Sequence, residues 1–147
     1  MYIDYIFNFS NIFVLPFWLL MIALPNWEWT RKIMSSYIPF VILATLYLYC
    51  FVNSIDPDSV EAFANPTLSQ LAELFSDERV MATGWVHFVA MDLFVGRWIY
   101  WQGQETKVWT RHSLAICLFA GPLGLLSHIL TQWISQSLGK ETSDATA

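Results

Sequence analysis

The sequence predicts an all-α fold, an integral membrane bundle of four transmembrane helices with a short amphipathic surface helix. Three observations predict it. Of 147 residues, 56% are hydrophobic and 13% charged, against about 25% charged in a typical soluble domain. Four apolar segments approach the roughly 20 helical residues that cross a hydrocarbon core of about 30 Å. A fifth, shorter segment alternates apolar and polar residues at helical spacing.

The spans are expected at about 5–24, 36–52, 83–101 and 112–134. The first is taken as retained, because MYIDYIFNFSN carries Asp4 where a secretory signal has a basic n-region. It ends at Pro25, before NWEWTRK, where Trp27 and Trp29 suit an interfacial aromatic belt. The second ends in the turn NSIDPDS. Over about 65–79, Leu68, Leu71, Ala72, Leu74 and Phe75 oppose Ser69, Gln70, Glu73 and Ser76, which describes the surface helix. In the last span Gly121, Pro122 and Gly124 allow close helix approach or a local bend. The whole is one membrane domain, residues 1–138, with a polar tail, 139–147, expected to be disordered. Arg31, Lys32, Lys107 and Arg111 follow the first and third spans, whereas Arg79 and Lys140 lie on the other side. The positive-inside rule then sends both termini away from the cytoplasm.

The net charge of −5 comes mainly from Asp56, Asp58, Glu61, Glu73, Asp77 and Glu78, and no basic patch suggests nucleic acid. Cys50 and Cys117 lie inside apolar stretches without metal or redox spacing, so they read as packing thiols. No His or carboxylate pair stands at i, i+3 or i+4 within the third or fourth span, so no metal site is expected.

The third span carries His87, Asp92 and Arg97. A charge at the bilayer centre costs roughly 2.5 to 3.5 kcal/mol on insertion scales, so these groups need partners or a job. Asp92 is rotated about 140° from His87, and Arg97 about another 140° from Asp92, which predicts a span largely surrounded by protein, either within the monomer or at an oligomer contact. With a straight fourth span, His128 falls near the level of His87, while Arg111 and His112 fall near Arg97. Asp92 lies between these two polar layers. Such groups can bind metal, transfer protons or hold helices together by buried hydrogen bonds. Trp98, Tyr100, Trp101 and Trp109 beside Arg97 suit either an aromatic belt or the walls of a site for a long apolar ligand.

The segments VLPFWLLMIALPNWEWTRKIMSSYIPF, WVHFVAMDLFVGRWIYWQG and TRHSLAICLFAGPLGLLSHILT resemble the abscisic-acid-deficient-four-like family. These are small multispan proteins of chloroplasts and cyanobacteria whose plant members are linked to neoxanthin synthesis. The resemblance implies a multi-pass protein of a cyanobacterial thylakoid or plasma membrane, or of a plastid membrane in a plant or alga. It implies a carotenoid or other apolar lipid as ligand among the membrane lipids, with a homo-oligomer or a photosynthetic complex as further partners. The implied reaction turns an epoxycarotenoid into an allene, a redox-neutral acid–base isomerisation that needs no cofactor. His87, Asp92 and His128 are then the candidate proton-transfer groups, with Arg97, Trp98, Trp101, Arg111 and His112 around the substrate. Two alternatives stay open: a non-catalytic pigment-binding or assembly protein, and a proton-coupled channel, against which the lack of inverted repeats counts.

Overall fold

The computed structural model describes residues 2–54 and 65–144, with the backbone alone over 139–144. Most of the turn NSIDPDS and the end of the polar tail lie outside the described residues. Every described element is a helix: α1 (Tyr2–Ala23), α2 (Glu28–Ser35), α3 (Ile38–Ser54), α4 (Leu68–Leu74), α5 (Glu78–Thr106), α6 (Arg111–Cys117) and α7 (Gly121–Asp144). Among them α1 alone is long and apolar enough to cross a membrane, and α2 with α3, bent by 41° at their junction, pass as one further span. The chain divides into two compact units, Met1–Val14 with Tyr37–Ala90 and Leu15–Ser36 with Met91–Ala147.

In the first unit the apolar residues expected to span make the helices, and a few polar side chains fix their register. Trp85 donates its indole N–H to Asn11 Oδ1 at 2.9 Å, while the Phe7 ring lies 5.5 Å from Trp85. Ser54 meets Thr83 at 3.2 Å between hydroxyls, and both residues are buried. The surface helix is shorter than its pattern suggests. Thr67 and Gln70 form a reciprocal capping box that starts α4, which ends at Leu74 with no buried residue.

Asp77 then opens α5. Its Oδ1 accepts the Arg79 amide at 2.7 Å and its Oδ2 pairs with Arg79 at 2.9 Å. The Arg79 side-chain and backbone hydrogen bonds lower its pKa from 3.8 to about 2. A carboxyl whose pKa falls on folding stabilises the folded chain above its ordinary value, and that contribution is lost as pH falls through the folded value.

In the second unit the expected fourth span is corrected. Residues 112–134 form two helices separated by a turn at 118–120, and the chain reverses there. His112 Nε2 lies 2.9 Å from Thr131 Oγ1, a pair that one straight helix would hold about 28 Å apart. Ser113 and Ser127 meet at 3.0 Å, and Gly124 lies against Cys117, so α6 and α7 form an antiparallel hairpin. Against α5 the register is parallel: Asp92 meets Gly121, Trp98 meets His128, and Gln102 meets Gln132. The C-terminal end of α7 therefore returns toward the end of α5, not to the side from which α5 started.

Local chemistry explains the reversal. Pro122 has no amide hydrogen for the Leu118 carbonyl and cannot continue a helix from α6. The Ala120 carbonyl instead accepts from the Leu123 and Gly124 amides at 3.1 and 3.0 Å and starts α7. Gly124 is required by the close approach: a Cβ there would come within 2.7 Å of the Cys117 amide nitrogen.

Two further expectations change. The stretch NWEWTRK is not only a loop, since Glu28–Ser35 is helical, burying Thr30 and Met34 one turn apart. Nor do the described residues of this one chain surround the third span, since Met81, Trp85, Phe88, Met91, Phe94 and Trp98 are exposed along α5, which leaves an oligomer contact as the way to cover them. The polar tail is helical through Asp144 in its described backbone.

Gly124→Ala should lower stability by about 1–3 kcal/mol by forcing the hairpin apart, read as a loss of thermal midpoint in detergent. Asp77→Ala should cost about 1 kcal/mol through the lost helix cap, the exposed Arg79 pair adding little. That difference from the parent should hold at pH 7 and shrink between pH 4 and pH 2.

Candidate functional site

The hairpin gathers most of the polar side chains singled out from the sequence into the second unit. Asp92, halfway along α5, reaches the first residue of α7, and its carboxylate accepts the Gly121 backbone N–H. A methyl group at Gly121 would overlap Asp92 Oδ1, so only glycine admits the carboxylate here. Asp92 thereby caps a helix N-terminus from a neighbouring helix, where unpaired amides and the helix dipole favour an anion. The Cys117 thiol donates to the Asp92 carbonyl at 3.5 Å, joining the end of α6 to the same point.

His128 lies about two turns along α7 from Gly121 and one turn from Gly124. It is fully buried, its ring is edge-on to Trp98 at 5.6 Å between centroids, and neither ring nitrogen has a hydrogen-bond partner among the described residues. Buried polar groups are paired in the great majority of cases, so an imidazole left open on both nitrogens asks for a reason.

His112 is better satisfied. Its Nε2 meets Thr131 at 2.9 Å and Ser113 at 3.1 Å, and its ring stacks on Trp109 at 4.9 Å, while Nδ1 has no partner among the described residues. Ser113 and Ser127 extend this chain across the hairpin. The expected separation of His112 and His128 into different layers is thus corrected. Thr131, which His112 contacts, lies within one turn of His128 on α7.

Arg97 faces α2. Its Nε donates to the Met34 carbonyl at 2.6 Å, placing a cation at the C-terminal end of that helix. Tyr100 and Gln104 both donate to the Pro25 carbonyl, at 2.9 and 3.2 Å, and fasten the turn between α1 and α2. Trp101 packs against Tyr100 at 5.2 Å, whereas Arg111 is exposed at the start of α6. His87 belongs to the first unit, where it is exposed and 5.7 Å from the Tyr47 ring.

Among the described residues no three His, Cys, Asp or Glu side chains are grouped to hold a metal ion. Both cysteines are buried and free. Ser113, Ser127 and Thr131 were not anticipated as site residues. The usable signal was their small hydroxyls in an otherwise apolar segment, with Ser127 and Thr131 one turn apart on one face.

Comparison with known proteins adds to this geometry. A family model described as ABA DEFICIENT 4-like matches residues 5–128. The chain is 37% identical over 134 residues to "Protein ABA DEFICIENT 4, chloroplastic" of Arabidopsis thaliana, an alignment covering 88% of this chain. It spans 61% of that relative's length. No solved structure matches the chain.

Asp92→Asn keeps an oxygen for the Gly121 amide and should shift stability by less than about 1 kcal/mol, whereas Asp92→Ala should lose about 1–2 kcal/mol with the cap. Gly121→Ala should destabilise by about 1–3 kcal/mol. Thermal unfolding of the three variants side by side checks the order.

Proposed function

Since the chain belongs to the ABA DEFICIENT 4-like family, we propose that it is a membrane-embedded enzyme of carotenoid metabolism, a neoxanthin synthase-like isomerase of an epoxyxanthophyll. The reading includes a home in a photosynthetic membrane, in keeping with the chloroplastic relative. In this reading α1, α3 and α5 cross the bilayer, and α6 with α7 form a re-entrant hairpin. Its support is that α6 rises only about 10 Å before the reversal, a third of a hydrocarbon core, and the turn meets α5 at its midpoint, Asp92. A reversal at that depth is tolerable where protein satisfies the freed backbone groups. Asp92 supplies that acceptor at Gly121.

The single observation that carries the enzymatic part is His128, a buried imidazole with both nitrogens open among the described residues. The proposed chemistry needs one proton given and one taken. An acid protonates the epoxide oxygen as its carbon–oxygen bond breaks, and a base removes a proton from the neighbouring carbon. The electron pair of that C–H bond becomes the second double bond of the allene. Protons and electrons balance, so the overall change is an isomerisation. A neutral imidazole can serve as base, or as acid once protonated. His128 takes the principal role in this proposal. His87 and Asp92 remain proposed proton-transfer groups, and Trp98, Trp101, Arg97, Arg111 and His112 proposed substrate contacts. The carboxylate's bond to Gly121 and the Arg97 bond to Met34 weight those two toward positioning.

A second reading, a non-catalytic pigment-binding or assembly protein, is favoured by the exposed aromatic and apolar stripe along α5. Pigment chromatograms separate the two. Cells making violaxanthin should accumulate neoxanthin, or another isomer, when they express this chain. His128→Phe at equal protein level should reduce that product about 100-fold or more. An unchanged pigment profile, with carotenoid co-purifying, would favour the second reading.

A further inference from the structure

The first unit holds a groove of about 220 Å³ that His87 shares with side chains to which the proposed reaction gives no role. Its walls are aromatic: Tyr47 and Phe51 from α3, Phe75 after α4, and Phe88 from α5. Ser54, Thr83 and His87 also line it. Gly84 lets the Phe75 ring lie against α5, since a Cβ there would come 2.7 Å from Phe75 Cε1. A second groove, about 330 Å³, is larger, but Tyr5, Phe9, Leu46 and its other lining residues include no buried polar side chain, so nothing in it selects one apolar molecule over another.

The polar groups of the smaller groove have a defined hydrogen-bonding capacity. Thr83 has one hydroxyl proton and donates it to the Arg79 carbonyl at 2.8 Å. Ser54 is therefore the donor in its 3.2 Å contact with Thr83, sharing its proton with the Phe51 carbonyl, also at 3.2 Å. No donor is directed at Ser54 Oγ among the described residues. It is a buried acceptor with spare lone pairs at the edge of an aromatic groove. His87 adds an imidazole with no hydrogen-bond partner among the described residues, able to donate from one nitrogen and accept at the other.

From this juxtaposition we infer that the groove binds the hydroxylated ring end of an isoprenoid. The ring packs among Tyr47, Phe51, Phe75 and Phe88, and its hydroxyl donates to Ser54 Oγ beside His87. A lipid acyl chain or an unsubstituted hydrocarbon ring could fill the aromatic walls but would leave the Ser54 oxygen without a donor. Sites built to hydrogen-bond a hydroxyl discriminate against analogues that lack it, because their own polar groups are then left unpaired. The assignment rests on the carotenoid reading for the ligand's class, and it adds the end of the ligand that is recognised and the residues that recognise it.

The test is binding of zeaxanthin and β-carotene, which share a skeleton and differ in the ring hydroxyls, to the purified full chain in detergent. Quenching of tryptophan fluorescence provides the readout. Zeaxanthin should bind at least about fivefold more tightly. Ser54→Ala should bring the ratio close to one while leaving β-carotene affinity unchanged, and Phe88→Ala should weaken both ligands. His87→Phe, a change at an exposed residue, should also reduce the ratio and stands in if Ser54→Ala does not fold. Equal affinities in the parent chain, or a ratio unmoved by both Ser54→Ala and His87→Phe, would overturn the inference. Violaxanthin conversion measured on the same preparations keeps the two proposals apart. Conversion with an unmoved ratio removes the groove and leaves the enzyme. Hydroxyl-selective binding lost in Ser54→Ala, without conversion in the parent, removes the enzyme and leaves the groove.

Discussion

The second unit depends on one hydrogen-bonded contact, the Asp92 carboxylate on the Gly121 amide. A helix that starts in the middle of an apolar segment exposes backbone N–H groups with no intrahelical partner, and each one buried unpaired costs about 1–3 kcal/mol. In α7 the Ala120 carbonyl takes the Leu123 and Gly124 amides and Pro122 has none, which leaves the Gly121 amide at the reversal. Asp92 satisfies it with an anion placed where the helix dipole favours one. The arrangement also answers the question raised by a carboxylate halfway along α5. Its charge is set against a helix terminus in place of a basic side chain. Gly121 and Gly124 follow as consequences, one making room for the carboxylate and the other for the Cys117 backbone.

Much of the fold was legible because apolar length and helical period are local properties. Residues 5–24 and 36–52 overlap α1 and α3 in all but one or two positions, 83–101 fall within α5, and the pattern over 65–79 holds α4. The hairpin was not legible as a reversal. Hydropathy averages over a window, and the turn Leu118–Ala120 is itself apolar, so 112–134 reads as one span. The signal was Gly-Pro-x-Gly from Gly121 to Gly124, which fixes a break but not its angle. Once a straight helix was assumed, His112 and His128 were assigned to different depths, although His112 reaches Thr131, next to His128 on α7. The α2 helix was hidden for a related reason. Its Thr30 and Met34 bury one narrow face beneath Trp29, Arg31 and Lys32, a pattern too short to stand out beside a proline turn.

Of the candidate site, the residue types were legible and their pairings were not. Asp92, Arg97 and His112 were singled out as ionisable groups in apolar helices, and each has a protein partner: a backbone amide, a backbone carbonyl and two hydroxyls. Such pairing explains how the chain tolerates these groups. His128 differs because it is buried and the described residues return no hydrogen bond to either nitrogen. Its apolar neighbour is the Trp98 ring, set nearly at right angles to the imidazole.

The most direct test of this account is the mass and structure of whatever the purified protein makes from violaxanthin, incubated without nicotinamide, flavin or added metal. The account predicts a product of unchanged mass carrying one allene and one new hydroxyl in place of an epoxide. Recovery of violaxanthin alone, or a product whose mass has changed by oxygen or hydrogen, would contradict it.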